Sequence, residues 1–309
     1  MKVMITGGAG FIGSHLSEYF LRKNHEVVVI TKKSTKNLDG NNDIDIEKID
    51  VTNSKKLESS ITKHKPELII HLAGNTSHSK SFENPHNDLY SNTKSTLNIL
   101  EIIRKSNLKT KFILGSTFVV IGKPSQLPVK ETTPCNPTTL YGVNRLSSEY
   151  YTKIYNQVYN LDTNVFRITN SFGPREQIIP NKNAINYLIY KAYKGEDITI
   201  FNDGKFFRDL IYISDVISAI YKITKKGKSG ELYWISSNKK TWFDKLGKIL
   251  EKQTAATTKY VPTPKYTKKV DVGNFVVDNK KIKLLNWKPK ISTEDGIRKT
   301  LKYFRDYGI

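Results

Sequence analysis

The chain has 309 residues, 38% of them hydrophobic, and 50 Lys and Arg against 29 Asp and Glu give a formal net charge of +21. That length and apolar share exclude a disordered chain and suit one large α/β domain, or a dinucleotide domain with a smaller partner. No apolar run approaches the roughly 20 residues that span a bilayer, and the single cysteine, Cys135, excludes an internal disulfide or a cysteine metal cluster.

The first residues run straight into glycines and are too short for a secretory signal, so a cytoplasmic setting is expected. The lysines are scattered, with short clusters at residues 32–33, 225–228 and 280–283. There is no long basic tail and no nucleic-acid motif, so no nucleic-acid or membrane partner is expected. The charge reads as lysine decoration of the surface, or as attraction of an anionic substrate.

In chain order, the apolar run Val3, Met4, Ile5 ends at Thr6. Gly7, Gly10 and Gly13 follow at three-residue spacing, and Gly8, Gly10 and Gly13 also satisfy G-x-G-x-x-G. A helical pattern begins at once, with Phe11, Ile12, Leu16, Tyr19 and Phe20 on one face. A strand, a glycine turn and a helix N-terminus make a pyrophosphate site: the backbone turns tightly and the helix end binds the anion. Further strands are expected at residues 27–30, 46–51, 68–72, 112–114 and 165–168. Helices are expected near 55–63, 89–104 and 141–159. Strands separated by helices imply right-handed crossovers and a doubly wound, mostly parallel α/β sheet. After Phe172, Gly173-Pro174 breaks the pattern and shorter mixed elements follow. Residues 1–170 are therefore expected to form the dinucleotide-binding domain, with strand returns near 207–226. Residues 171–309 are expected to form mainly a smaller α/β substrate-binding lobe.

Three segments fall at the C-terminal ends of expected strands, where doubly wound sheets bind ligands. His71-Leu72-Ala73-Gly74 offers small residues that a cofactor can approach. Gly115-Ser116-Thr117 offers hydroxyls. Tyr141 and Arg145, one helical turn apart, share a face. A cation beside a phenol favours phenolate and lowers its pKa from about 10. Such a Tyr exchanges a proton with an alcohol while hydride moves to nicotinamide. His15, His25, His64, His78 and His86 show no metal spacing, no metal is expected, and His78 and His86 read as solvated loop residues.

With these motifs in place, the chain resembles the extended short-chain dehydrogenase/reductases, in particular the nucleotide-sugar epimerase/dehydratase group. Residues 6–13 match its TGxxGxxG, and Asp50-Val51 its acidic pair near adenine. Residues 71–74 are similar to its HLAA segment, and Asn92 to the Asn of its next helix. Residues 112–122 resemble its strand-five block, with Thr117 in the catalytic Ser/Thr place and Tyr141 in the catalytic Tyr place. RITNSFGPR (167–175), FRDLIYISDV (207–216) and residues 279–289 resemble its later motifs. The resemblance implies a Rossmann sheet and a nucleotide-diphosphate sugar as substrate. It also implies a homodimer built from the helices near 89–104 and 141–159. It places Gly7, Gly10, Phe11, Ile12, Gly13, Asp50, Val51, Leu72, Ala73, Gly74, Tyr141 and Arg145 at the cofactor. Thr117, Asn170, Phe201, Arg208 and Lys268 fall at the substrate. Phe201 reads either as a base-stacking ring or as a core aromatic, and Arg208 either as a phosphate ligand or as a partner of Asp209.

Three departures bear on the reaction. The family's YxxxK is YxxxR here; Arg145 keeps the charge but, staying protonated, is a poor proton relay. Strand two ends in Thr31-Lys32-Lys33-Ser34 without the acidic residue that binds an adenine ribose. Hydroxyls and ammonium groups there lean toward NADP; if Lys32 and Lys33 face solvent, NAD is held instead. Phe118 and Val119 follow Thr117 where dehydratases carry an acidic residue, which argues against 4,6-dehydration and decarboxylation. A nucleotide-sugar 4-epimerase is the leading expectation. The alternatives are an NADPH-dependent 4-ketoreductase and a catalytically weak dinucleotide-binding sensor.

Overall fold

A computed structural model describes residues 1–32, 34–179 and 184–309; Lys33, an expected cofactor contact, lies outside them. The chain divides into two compact units. The first comprises Met1–Thr117, Thr139–Arg167 and Ile220–Tyr233, and the second Phe118–Thr138, Ile168–Ala219 and Trp234–Ile309.

The first unit begins β1 (Lys2–Thr6), α1 (Phe11–Leu21), β2 (Glu26–Thr31), β3 (Ile44–Lys48), α2 (Ser54–His64) and β4 (Leu68–His71). It continues α3 (His78–Glu83), α4 (Pro85–Leu89), α5 (Ser95–Lys105), β5 (Lys111–Thr117), α6 (Leu140–Tyr159) and β6 (Thr163–Ile168). A seven-stranded sheet runs Leu232–Ile235, β6, β5, β4, β1, β2, β3. β1 pairs in parallel with both β4 and β2, so the strand order reverses beside β1. This is the α/β, doubly wound Rossmann arrangement, and its ligand crevice opens at the carboxyl end of β1. The strands are near-continuous apolar runs because helices cover both faces. Met4, Leu57, Ile69, Ile99 and Phe112 lie in one buried cluster between the sheet and its helices.

Two expected elements differ. The third strand ends at Lys48 rather than at residue 51, leaving Asp50 in the following turn. The helix expected over 89–104 is interrupted. Asn84 caps α4, accepting from Asn87 N–H, with Pro85 at its first turn. A π-helical turn, Tyr90–Lys94, then joins α4 to α5 and buries Asn92. Such widened turns recur where a backbone serves a site.

In the second unit, β7 (Asn170–Phe172) pairs in parallel with Leu210–Tyr212 as a separate two-stranded sheet. The strand return to the large sheet expected within residues 207–226, at 211–213, is therefore corrected: Leu232–Ile235 makes it. Segment Phe118–Thr138, expected in the dinucleotide domain, belongs to the second unit. There Phe118 packs on Phe275 at 5.2 Å and Val129 N–H bonds Val276 O at 2.8 Å. Ile220–Tyr233 belongs to the first unit, where Tyr221 packs edge-on against Tyr19 at 5.3 Å. No helix among the described residues is long and apolar enough to cross a membrane.

Candidate active site

β1 ends at Thr6 and the chain turns through Gly7, whose N–H bonds Ile30 O at 2.7 Å. A Cβ on Gly7 would sit 2.9 Å from Ala73 N, and one on Gly13 2.2 Å from Gly7 O, so both positions exclude side chains. α1 starts after Gly10 with no side-chain cap and no acidic residue in its first turn. The first-turn amides of Phe11, Ile12 and Gly13 are thus open to an anion, which they and the helix dipole favour.

Three side chains and one backbone amide hold the neighbouring loop after β4 in one directed chain. Ser95 Oγ donates to Ser91 O at 2.7 Å, so it accepts from His71 Nε2–H at 3.1 Å. His71 Nδ1 then accepts from Thr6 Oγ1 at 2.6 Å, and Thr6 Oγ1 accepts from Ala73 N–H at 3.3 Å. Full burial, with Arg145 nearby, pushes the His71 imidazole down to about 3, so it is a neutral strut. Leu72, Ala73 and Gly74 are held against the glycine turn in this way. Gly74 (φ +155°) passes so close to Asn92 that a Cβ would meet its Oδ1 at 2.3 Å.

At the end of β2, Thr31 is buried. Lys32 Nζ pairs with Asp50 Oδ2 at 2.9 Å, and Thr52 donates to Asp50 Oδ1 from both N and Oγ1. Burial opposes the Asp50 charge most strongly, but the Thr52 N–H and Lys32 outweigh it and hold the carboxyl below its usual range. The Val51 side chain packs into the sheet's core, leaving only its backbone to a ligand.

Tyr141, Thr117 and Arg145 come together as expected. α6 opens on Thr139, whose hydroxyl accepts from Gly142 N–H at 3.0 Å. Tyr141 lies in the first turn, 8% exposed and hydrogen-bonded to Thr117. Arg145, 4% exposed, donates from Nη1 to Asn92 Oδ1 at 3.4 Å, and its buried Nε has no partner. The expectation that Arg145 brings the Tyr141 phenol below its ordinary value is corrected. Burial raises it, and the opposing Arg145 charge and Thr117 hydrogen bond do not cancel that.

Several residues at the site were not read from the sequence. His78, expected in a solvated loop, opens α3 and lies against the Tyr141 ring, centroids 5.6 Å apart. Glu149, one turn beyond Arg145, forms a buried pair with Arg167 at 2.6 Å and accepts from Ser116 Oγ. Asp88 is buried and takes donors from Asn75, Asn92 and Asn144. The i, i+4 spacings Arg145/Glu149 and Asp88/Asn92 were the available signals, since polar residues repeating on a helix's inner face need partners. Among the described residues no cluster of three His, Cys, Asp or Glu could hold a metal.

The expected substrate residues other than Thr117, namely Asn170, Phe201, Arg208 and Lys268, lie in the second unit. Arg208 pairs with Asp271 at 2.6 Å and donates to Phe207 O at 3.1 Å. The pairing with Asp209 is thereby ruled out: that carboxylate takes Ser237 N and Oγ, Asn238 N and Val277 N. Asn170 has a buried Nδ2 without a partner. Phe201 is half-buried at the end of the strand Ile198–Phe201, and Lys268 is exposed.

A titration follows from the His71 strut. Below about 6.5 the unfolded chain binds a proton that folded His71 refuses until about pH 3, so this residue makes stability fall as the pH is lowered across that window. Imidazole NMR at about pH 5 is expected to show a neutral Nε2–H tautomer. A protonated ring at that pH would contradict the assignment.

The fold agrees with comparisons to known proteins. Residues 3–236 match the model of the NAD dependent epimerase/dehydratase family. A Methanocaldococcus jannaschii protein assigned as a UDP-glucose 4-epimerase is 30% identical over 98% of both chains. The UDP-glucose 4-epimerase of Thermotoga maritima, solved with UDP-glucose, superposes with a TM-score of 0.93 at 29% identity over 100% of both chains. The Thermus thermophilus UDP-glucose 4-epimerase, solved with NAD, superposes at 0.90 and 25% identity, covering 99% of this chain and 100% of that one. The chain belongs to the NAD-dependent epimerase/dehydratase family of nucleotide-sugar enzymes.

Proposed function

We propose that the protein is a nucleotide-sugar 4-epimerase, with UDP-glucose and UDP-galactose as its first candidate pair. The observation that carries this reading is the buried Tyr141–Thr117 contact with Arg145 one turn away, beside an uncapped helix N-terminus. A bound nicotinamide dinucleotide supplies the reversible oxidation at C4. The unpartnered Arg145 Nε and the close-packed Gly7 and Gly13 fit such a group. Gly10, Phe11, Ile12 and Gly13 would hold its pyrophosphate, and Leu72, Ala73 and Gly74 would line it.

Tyr141 Oη, as phenolate, takes the proton of the C4 hydroxyl, while Thr117 hydrogen-bonds the same oxygen as charge develops. The keto sugar turns over, and Tyr141 returns the proton to the oxygen on the new face. Arg145 favours the phenolate at each deprotonation without itself losing a proton. Phe118 and Val119 put no carboxyl beside Thr117, so the chain lacks the acid that would drive loss of water. In the second unit, the Arg208 guanidinium has the fork geometry that suits a phosphate, and Asn170 offers an unpartnered amide.

We read the cofactor as NAD, against the lean of residues 31–34 toward NADP. Lys32, the group that would meet a 2′-phosphate, is held by Asp50, and that carboxylate would repel one. We further propose a homodimer. Leu140, Val143, Tyr150, Ile154 and Val158 form an exposed stripe at helical spacing on α6, and Leu89 and Tyr90 are exposed nearby in sequence to α5. Contiguous apolar surface of this kind is normally covered by a partner.

Wild-type protein is expected to interconvert UDP-glucose and UDP-galactose and to release NAD on denaturation. Tyr141→Phe is expected to lower turnover roughly 10²–10⁴-fold with dinucleotide binding retained. Equal turnover by wild type and Tyr141→Phe would remove the reading and leave a dinucleotide-binding sensor. For the assembly, sedimentation is expected to give twice the chain mass for wild type and the chain mass for Ile154→Glu. A monomeric wild type would overturn the dimer.

A further inference from the structure

Asp88 is a buried carboxylate that the reaction above does not use. It lies in α4, 1% exposed. Its Oδ1 accepts from Asn75 Nδ2 at 2.6 Å and Asn92 Nδ2 at 3.1 Å, and its Oδ2 from Asn144 Nδ2 at 2.7 Å. Amides satisfy its hydrogen bonding but not its charge. A buried charge without an opposite charge is costly.

Arg145 has the complementary need. It is as deeply buried as Tyr141, and unlike the lysine it replaces it does not shed its proton on burial. The other nearby carboxylate, Glu149, is already engaged: Arg167 grips it through Nε at 3.0 Å and Nη2 at 2.6 Å, and Ser116 donates to it as well. Asp88 is then the remaining negative charge facing the guanidinium. Asn92 joins the two: its Oδ1 accepts from Arg145 Nη1 at 3.4 Å while its Nδ2 donates to Asp88. One amide is polarised from both ends. The π-turn Tyr90–Lys94 sets Asn92 in this place, and Asn144, adjacent to Arg145, ties α6 to the same carboxylate.

We propose that Asp88, acting through Asn92, is the counter-ion and positioning residue of Arg145, holding the guanidinium by Nη1 so that its Nε is left for a bound ligand. The inference rests on reading Tyr141 and Arg145 as the reacting pair. Its effect extends to Tyr141. The groups that face this phenol are Asp88 from α4, His78 from α3, Arg145 on α6 and Thr117 from β5, while Glu149 acts on Arg145. The Asp88 charge disfavours the phenolate and Arg145 favours it. Asp88 thereby restrains how far Arg145 acidifies the phenol.

A double-mutant cycle tests the pair on the full chain. Asp88→Asn keeps the shape, and the Asn144 amide can turn to present its oxygen. Arg145→Met removes the cation. Each single variant strands one buried charge, so both are expected to unfold at lower urea than wild type. The double variant is expected to lose less than the two losses added. If Asp88→Asn alone does not fold, recovery of folding in the double variant supports the pair. Failure of the double variant while Arg145→Met folds overturns it.

The second readout is the acid limb of kcat/KM against pH, which a merely structural Asp88 would leave in place. In Asp88→Asn it is expected to move to lower pH. Additive losses in the cycle, or an unmoved acid limb, overturn the proposal. If wild type turns over no sugar nucleotide, the epimerase reading has failed, and the cycle alone still decides whether Asp88 and Arg145 are coupled.

Discussion

Tyr141 is buried, and burial opposes the phenolate that proton exchange with a sugar hydroxyl requires. The rest of the site is organised around that conflict. Thr117 donates a hydrogen bond that favours the charged form, and Arg145 brings a fixed cation one helical turn away. A buried cation needs its own compensation, which draws Asn92 and Asp88 into the site. A dry pocket is also what strengthens every one of these interactions, because the local dielectric is low. The same burial that makes the phenol hard to ionise makes a small rearrangement of charge effective.

Placement depends on the sheet. β1, β4 and β5 end side by side, so Thr6, His71 and Thr117 lie at one edge. The Ser95–His71–Thr6–Ala73 chain couples α5 to two strand ends and to the loop beside Gly7. The Ser95 hydroxyl donates to backbone carbonyls, so the tautomer of His71 follows from the hydroxyl directions. Charge at His71 would break that sequence, and burial prevents it. Neutral struts and close-packed glycines give the backbone its precision.

What could be read from the sequence was what has a local cause. Gly7 and Gly13 announce a turn because only glycine fits where a Cβ would meet backbone. Tyr141 and Arg145 share a face because helical spacing demands it. The strands appear as apolar runs because both sheet faces are covered. What escaped the reading depends on contacts between distant segments. Nothing near Lys32 in sequence points to Asp50, and nothing near His78 points to Tyr141. The return of Leu232–Ile235 to the large sheet, in place of residues 211–213, is a choice among similar apolar runs that pairing alone decides. The break at Tyr90–Lys94 is a further case: the periodicity passes smoothly through it, and the π-turn becomes visible only where Asn92 meets Gly74 and Arg145.

The central claim is that the chain oxidises and restores a sugar carbon without net redox change. The direct test is to give the protein UDP-glucose deuterated at C4 and follow the label by mass spectrometry together with the bound dinucleotide. Deuterium retained in UDP-galactose, with the amount of NAD unchanged, is the predicted result. Label lost to solvent, or stoichiometric consumption of a reduced dinucleotide, would contradict the account.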